Sequence, residues 1–205
     1  MSKDWTGNGH SLSATNGIRK GSSGYTEDRQ VDDYYATDPK AIDWLMSTGV
    51  ELSTRVWECA CGEGHLAKRL EDCGYEVLAT DKVDRGYGGV EDFLTSERRF
   101  DGDIITNPPY RYAKEFVEHG LELIPENNSV WMFLKLTFLE GGARREMFDR
   151  GVLKSVTVAT KRINCAKNGD FSGLQGSPVA YAWYQFSKSV DGEPVIRWMP
   201  SKIER

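Results

Sequence analysis

The sequence contains no apolar run of the roughly 18 residues that a transmembrane helix requires. Its first 25 residues also lack an apolar core flanked by positive charge, so they resemble neither a secretory signal nor an organelle-targeting segment. We therefore expect no membrane partner and a cytoplasmic protein. The length of 205 residues, with 39% hydrophobic and 28% charged residues, is typical of one globular domain.

Metal-binding motifs are missing as well. The four cysteines form neither a CxxC pair nor the repeated spacing of a zinc site, and the three histidines are dispersed. We predict no metal, and we expect the cysteines to be buried free thiols in a reducing compartment. The cysteines are Cys59, Cys61, Cys73 and Cys165.

Basic residues are outnumbered by acidic ones, 26 to 31, and are unevenly distributed. The formal net charge of −5 argues mildly against indiscriminate nucleic-acid binding. Residues 130–205, however, carry 12 basic and 7 acidic side chains, whereas residues 1–129 carry 14 and 24. A local basic face binds phosphate whatever the global charge, and a solvated surface explains the same residues equally well. The basic cluster comprises Arg144, Arg145, Lys154, Lys161, Arg162 and Lys167.

Strand-like and helix-like segments alternate after a polar beginning. Residues 1–30 are rich in Gly, Ser, Asn and Thr, which predicts a flexible arm before a single domain at 31–205. Helices are predicted at 39–48, 65–73, 112–124 and 141–151, and strands at 56–59, 75–81, 90–94, 100–107, 129–139, 152–162 and 179–186. This order predicts a Rossmann-like, doubly wound α/β fold with a mostly parallel seven-stranded sheet. A loop without a helix at 164–178 predicts an antiparallel C-terminal strand.

Two glycines and an aspartate follow neighbouring predicted strands. Gly62 and Gly64 precede a helix, so a ligand can approach the backbone beside free helix amides. Asp81 comes 17 residues after Gly64, where it is placed to bind a ribose hydroxyl pair. Arg69 and Leu70 stand where a dinucleotide motif has its third glycine, and no P-loop lysine follows. The pattern predicts an adenosine-containing cofactor other than NAD.

Four segments in this order carry a family resemblance: ECACGEGHL from residue 58, ATD from 79, EDF from 91 and NPPY from 107. With them, the chain resembles the class I S-adenosylmethionine-dependent methyltransferases, and among these the small phage-type enzymes that methylate adenine in DNA. RQVDDYYATDPKAIDWL, from residue 29, is similar to the segment before the first glycine motif in one permutation of the family. The resemblance covers about residues 31–186 and departs from the commoner pattern at Glu58 and Cys61.

The resemblance implies S-adenosylmethionine as the cofactor and a role for each matching position. Singly, most of these residues have an ordinary structural reading as a helix start, a loop carboxylate or core. Together they would surround the cofactor: Tyr35, Thr37 and Pro39 at its methionine end; Glu58, Ala60, Gly62 and Gly64 along it; Asp81 at the ribose; Asp92 and Phe93 at the adenine; and Asn107 next to the transferred methyl group.

The NPPY stretch suits catalysis on an amine of low nucleophilicity. The Asn107 side-chain oxygen and the Pro108 carbonyl can accept hydrogen bonds from an exocyclic amine, which localises its lone pair. Pro108 and Pro109 fix the backbone so that the carbonyl faces the site. Tyr110 offers a flat face for a base flipped out of the duplex, and stacking contributes ~1–3 kcal/mol per base. We predict these four residues as the catalytic set.

The expected partner is DNA, in a bacterial or phage-infected host cell, and the expected assembly is a monomer or weak homodimer. Phosphate contacts are predicted on the same edge of the sheet, together with the 164–178 loop. RNA adenine, a protein glutamine amide, or a non-catalytic nucleic-acid-binding role remain alternatives. The predicted substrate-binding residues are Tyr110, Lys135, Arg144, Arg145, Lys161 and Arg162. The aromatic side chains of Tyr181, Trp183, Tyr184 and Phe186 are predicted to be strand core.

Overall fold

The computed structural model describes residues 35–167, 171 and 179–200. The predicted arm at 1–30 and most of the predicted 164–178 loop lie outside the described residues. Within the described part of the chain, no helix is long and apolar enough to span a bilayer.

Ten strands and four α-helices make up the described fold. The strands are β1 Tyr35–Thr37, β2 Arg55–Glu58, β3 Glu76–Asp81, β4 Gly89–Val90, β5 Asp103–Thr106, β6 Val130–Lys135, β7 Leu153–Val158, β8 Cys165–Lys167, β9 Tyr181–Phe186 and β10 Val195–Trp198. The helices are α1 Lys40–Met46, α2 His65–Asp72, α3 Ala113–Leu123 and α4 Arg145–Asp149.

Eight of the strands form the central sheet, in the order β10-β7-β9-β6-β5-β2-β3-β4. All neighbours are parallel except β9, which is antiparallel to both β6 and β7. This confirms the predicted α/β class, the mostly parallel sheet and the antiparallel C-terminal strand. The antiparallel strand is not at the border of the sheet, because it inserts between β6 and β7.

The core lies on both faces of this sheet, and side chains alternate between them. Ile104 joins the cluster under α3, whereas Ile105 joins the cluster under α1 and α2. The same alternation divides the aromatic residues of β9, all of which are buried. The indole of Trp183 also donates a hydrogen bond to the Ala41 carbonyl at 2.9 Å. The prediction that these aromatic residues are strand core is confirmed.

Several local predictions are wrong. The strand predicted at 90–94 ends at Val90, because the Asp92 side chain accepts from the Leu94 amide at 3.2 Å and starts a 3-10 turn, Phe93–Thr95. The strand predicted at 129–139 ends at Lys135, where a 3-10 turn, Leu136–Leu139, follows. The sheet also has one more strand than predicted, β10, whose four residues are all exposed and so give no burial pattern.

The cysteines are free thiols, but they are not all buried. Cys59 and Cys61 are buried directly after β2, as predicted, and Cys165 is half-buried. Cys73 is exposed, so the prediction of burial is wrong for it. It caps the C-terminus of α2, where its amide bonds the last helical carbonyls on the solvent side.

Candidate active site

The predicted site residues converge at the carboxyl edge of the sheet. Strand order reverses between β2 and β5, since β3 and β4 extend the sheet on one side and β5 and β6 on the other. Ligands of open α/β sheets bind at this kind of reversal, beyond the carboxyl ends of the strands. Glu58, Asp81 and Asn107 lie at or directly after the ends of three adjacent strands.

The glycine turn after β2 depends on left-handed backbone at Gly62 and Gly64, with φ of 54° and 81°. L-residues rarely adopt such angles. A side chain at Gly64 would also collide with the ring of Tyr87, whose nearest atom would be 2.3 Å from the added Cβ. Tyr87 is held there by a 3.0 Å hydrogen bond to Glu71 and by Lys68, whose ammonium lies 4.7 Å from the ring centroid.

Asp81 organises the turn next to it. One carboxylate oxygen accepts from the Gly62 amide at 2.8 Å, and the other accepts from the Val83 amide at 2.9 Å. Each oxygen has a second lone pair, so both can still accept from a ribose. The predicted ribose contact stays a prediction, and Asp81 has a structural role in addition.

Glu58 is a buried acid with no cation beside it in the described residues. Its side chain is 1% exposed and accepts hydrogen bonds from the Thr106 hydroxyl and from the Ala60 amide, the latter at 3.3 Å. Burial raises its pKa from 4.5 to about 8, and the negative charge of Asp81 adds a smaller increase. Near neutral pH the carboxyl is therefore largely protonated.

Asp92 and Phe93, the predicted adenine contacts, have different surroundings. Asp92 is half-buried, caps its own turn and pairs with Lys82 at 2.8 Å. The Phe93 ring is 1% exposed and packs in the core, with ring centroids 4.8 Å from Phe116 and 5.3 Å from Trp57. An adenine contact of Phe93 would therefore involve its backbone.

Asn107 has one paired and one unpaired end. Its Nδ2 donates to the Thr37 hydroxyl at 2.7 Å and to the Tyr35 carbonyl at 3.5 Å. Its Oδ1 is buried and has no hydrogen-bond partner among the residues that the structure describes. Since a buried acceptor without a partner costs about 1–3 kcal/mol, this atom favours a ligand that donates a hydrogen bond.

The two prolines that follow Asn107 differ in exposure and in backbone pairing. Pro108 is buried and Pro109 is exposed. Among the described residues, no donor bonds to the Pro108 carbonyl, whereas the Pro109 carbonyl accepts from the Tyr112 amide at 2.9 Å. The Pro108 oxygen is thus available as a second acceptor.

Tyr110 lies in a half-buried position beside a small pocket. Burial raises the pKa of its hydroxyl, which lies 3.9 Å from the Cys165 thiol. The centroid of the Tyr110 ring is 6.2 Å from that of Tyr181. The Lys135 ammonium lies 4.8 Å from the Tyr110 centroid. The pocket, of about 100 Å³, is lined by Tyr110, Ala113, Leu134, Lys135, Thr137, Phe138 and Arg144.

The predicted basic residues differ in the partners that they have within the protein. Lys135 and Arg144 share the pocket beside Tyr110, but the Arg144 guanidinium bonds the carbonyls of Phe138, Thr137 and Glu140. Arg145 is exposed and pairs with Asp149 at 2.7 Å.

Lys161 and Arg162 are exposed after β7, and the Lys161 ammonium lies 5.6 Å from the Trp44 ring centroid. At the methionine end, Thr37 is 3% exposed and Tyr35 is 41% exposed. Pro39 precedes the first residue of α1 and its carbonyl accepts from Ile42, so its position is that of a helix start.

Sequence reasoning missed Thr106, Tyr87 and Cys165 as neighbours of the site. Thr106 ends β5 directly before the NPPY stretch, and that adjacency was a usable signal. The sequence carries no local signal for Tyr87 or Cys165. Tyr87 lies against Gly64, and Cys165 lies against Tyr110, so each contact joins distant parts of the chain.

Another cleft, of about 300 Å³, lies at the opposite, amino edge of the sheet. Asp103 is its central carboxylate, and it accepts from the Ser53 and Ser129 amides and from the Asn128 side chain at 2.8–3.1 Å. These bonds join the starts of the strands, so the Asp103 network is structural. No group of three or more metal-binding side chains occurs among the residues the structure describes.

No protein-family model matches the sequence, and comparison with curated proteins gives no match. Solved structures do match. A Listeria monocytogenes protein, provisionally described as a class I S-adenosylmethionine-dependent methyltransferase, has a TM-score of 0.56 at 12% identity over 85% of this chain and 69% of its own. A Pyrococcus horikoshii protein, provisionally described as an RNA methyltransferase, has a TM-score of 0.52 at 17% identity over 74% and 84%.

The fold is that of the class I methyltransferases. S-adenosylmethionine is accordingly the cofactor expected of this fold, and the residues at the carboxyl edge fit it. The glycine turn leaves the backbone open, and Asp81 retains lone pairs for a ribose. The buried Glu58 carboxyl has no cation beside it among the described residues, so a positive charge placed next to it would favour its ionised form and be stabilised by it.

Proposed function

We propose that this methyltransferase-fold protein transfers a methyl group from S-adenosylmethionine to the exocyclic 6-amino group of adenine in DNA. The observation that carries the proposal is the buried Oδ1 of Asn107 at the carboxyl edge of the sheet, which has no partner in the described part of the chain. An acceptor placed there matches a substrate that brings its own N–H donors. The Pro108 carbonyl, which no described donor reaches, supplies the second acceptor.

The chemistry follows from the electronic state of the amine. The lone pair of an aromatic amine is delocalised into the ring, and two acceptors aimed at its hydrogens localise the lone pair on nitrogen. Bound S-adenosylmethionine supplies the electrophilic methyl group. No general base is required before attack, because the amine nitrogen can lose its proton to water afterwards. The protein therefore contributes positioning and fixed dipoles.

A planar base fits the surroundings of Tyr110. Its ring lies beside the small pocket, with the Lys135 ammonium over the ring. A base in a duplex cannot reach a recessed acceptor such as Asn107, so the target adenine would be flipped out and stacked at Tyr110. Lys135 would contact the substrate backbone, with exposed Arg145, Lys161 and Arg162 as outer phosphate contacts.

The remaining predicted residues would hold the cofactor. Asp81 would bind the ribose hydroxyls, Glu58 and the glycine turn would line the methionine and sulfonium region, and the backbone at Asp92 and Phe93 would border the adenine. Arg144 supports the loop after β6 through three backbone carbonyls, so its role would be to shape the pocket.

RNA adenine is the second candidate substrate. One structural neighbour is provisionally described as an RNA methyltransferase, and the acceptor pair at Asn107 suits any planar amine, a glutamine amide included. The basic side chains would contact the phosphates of DNA and RNA alike, so they do not select between the two nucleic acids. Substrate comparison decides between the candidates.

The test uses purified protein, S-adenosylmethionine with a labelled methyl group, and three substrates: unmethylated DNA, unmethylated RNA and a glutamine peptide. We expect N6-methyladenine after digestion of the DNA, none with Asn107→Ala, and unchanged activity with Asn127→Ala, an exposed residue at the opposite edge. Label in RNA or peptide alone would contradict the DNA assignment. Absence of S-adenosylmethionine binding in calorimetry would instead favour a non-catalytic nucleic-acid-binding protein.

A further inference from the structure

A short ribbon outside the main sheet adjoins the catalytic asparagine. β1 pairs antiparallel with β8, and Thr37 lies opposite Cys165 in the register. The Asp38 amide extends the pairing by donating to the Asn164 carbonyl at 3.0 Å. The ribbon thus joins the segment before α1 to the segment after β7 and places both next to the NPPY stretch.

The ribbon determines which end of the Asn107 amide faces it. The Tyr35 carbonyl only accepts hydrogen bonds, so the group that approaches it must be the amide nitrogen. The Thr37 hydroxyl accepts from the same nitrogen at 2.7 Å. The Asn107 oxygen is therefore directed away from the ribbon; it is buried there, and no described residue pairs with it. A rotated amide would present N–H donors to the substrate amine, which has donors of its own.

The same ribbon reaches the other end of the NPPY stretch. The Cys165 thiol lies 3.9 Å from the Tyr110 hydroxyl, and Cys165 is the register partner of Thr37 in the ribbon. Thr37 is 3% exposed, and Cys165 is half-buried. The Asn107 amide and the Tyr110 ring are thus connected through two side chains that face each other across one ribbon.

We propose that Thr37 is a positioning residue: from the β1–β8 ribbon it fixes the rotamer of Asn107 so that Oδ1 faces the substrate amine, while Cys165 aligns Tyr110. The inference rests on the proposed amine methyl transfer and deepens it. It gives Thr37 a role different from the cofactor contact that the family resemblance implies. Thr37 acts through Asn107 and touches neither reacting atom.

The test compares Thr37→Val, which keeps the shape but removes the hydroxyl, with Thr37→Ser, which keeps the hydroxyl. We expect Thr37→Val to lower kcat about 10- to 100-fold, since misplacement of a catalytic group has effects of this size. The Kd for S-adenosylmethionine, measured by calorimetry, should change less than about twofold, and Thr37→Ser should restore most of kcat. Thr157→Val, a buried threonine of β7, is the matched control and should keep wild-type kcat.

A second readout does not depend on catalysis. In a ¹⁵N–¹H spectrum, the side-chain amide pair that disappears in Asn107→Asp identifies Asn107. We expect this pair to shift in Thr37→Val and to stay near its wild-type position in Thr37→Ser. If the wild-type protein methylates none of the three substrates, the proposed function fails, and this spectrum still decides whether Thr37 holds the amide.

Three results would overturn the positioning role. One is a wild-type kcat in Thr37→Val. Another is a loss of S-adenosylmethionine affinity that accounts for the loss of activity, which would make Thr37 a cofactor contact. The third is an Asn107 amide resonance that Thr37→Val leaves unmoved.

Discussion

Glu58, the last residue of β2, accepts a hydrogen bond from the hydroxyl of Thr106, the last residue of β5. The bond joins the two strands at the point where the strand order reverses. It also partly stabilises a carboxylate that burial destabilises, and the balance leaves the pKa of Glu58 at about 8. The acid closest to the centre of the site is therefore sensitive to pH in the neutral range.

Folding stability should reflect this proton. Between pH 4.5 and about 8, folded Glu58 holds a proton that the unfolded chain has released, so stability falls as the pH rises through this range. We expect Glu58→Gln to remove most of this decline, which is on the order of 3–5 kcal/mol as an upper limit. Urea unfolding of the cofactor-free protein at pH 5, 6.5 and 8 measures it. Glu97→Gln, an exposed control, should keep the wild-type slope; parallel curves for wild type and Glu58→Gln would contradict the assignment.

Cofactor binding should release a proton from the same group. A positive charge brought next to Glu58 favours the carboxylate and lowers its pKa. At pH 7, calorimetry of S-adenosylmethionine binding in buffers of different ionisation enthalpy should show release of up to about one proton. Glu58→Gln should release much less. Identical buffer dependence in both proteins would place the titrating group elsewhere.

Asp81→Ala should weaken S-adenosylmethionine binding about tenfold or more, since hydrogen bonds to a charged group contribute ~1.5–3 kcal/mol. It should also lower the free energy of unfolding by about 1–2 kcal/mol, because the Gly62 and Val83 amides lose their acceptor. Calorimetry and urea unfolding measure the two effects separately. Asp84→Ala, which removes a similar bond to the Gly86 amide outside the site, should leave affinity unchanged. If Asp81→Ala binds the cofactor normally, the ribose assignment is wrong.

Gly64→Ala should destabilise the protein by about 2–4 kcal/mol, through its left-handed backbone and its contact with Tyr87. Gly49 offers a matched control, because its φ of 73° is similar but an added Cβ would have nothing within 4 Å. Gly49→Ala should therefore cost only about 1 kcal/mol. Urea unfolding of both variants and of Gly64→Ala/Tyr87→Ala isolates the contact, and the double variant should lose less than the sum of the single ones. Equal losses at the two glycines would rule out the steric part.

Lys135 and Arg145 should differ in their effect on nucleic-acid binding. In the described residues no carboxylate pairs with Lys135, which lies beside Tyr110, whereas Arg145 pairs with Asp149. Lys135→Ala should reduce the slope of log affinity against log salt by about one. Arg145→Ala should change the slope less. Fluorescence anisotropy of labelled DNA at several salt concentrations measures both slopes; a larger change for Arg145→Ala would reverse the assignment.

The elements that the sequence predicted well are those that local patterns determine. Apolar runs and glycine turns predicted the strands that end at Glu58, Asp81 and Thr106, and parallel pairing brought those ends together. The NPPY stretch was recognisable because two prolines directly after a strand have few structural uses. These residues make up most of the candidate site.

The parts that the sequence did not predict depend on contacts between distant residues. Thr37 meets Asn107 across 70 positions, and nothing near either residue indicates the pairing. The position of β9 between β6 and β7 also depends on distant contacts. The loop without a helix before β9 predicts that β9 pairs antiparallel with β7, but nothing local predicts its second pairing, with β6. The sequence predicted Arg144 as a phosphate ligand. Its guanidinium instead donates to a backbone carbonyl of the folded loop after β6, and this contact has no local sequence signal.

The insertion of β9 has a consequence for how the chain assembles on the ribosome. Until Phe186 has emerged, the hydrogen-bonding edge of β6 has no neighbour on one side, and six residue pairs of the finished sheet are missing. The nascent chain must carry an open, strongly apolar edge from the synthesis of β6 until that of β9. Unpaired edges of this kind promote aggregation, so this topology exposes the growing chain to aggregation until β9 is added.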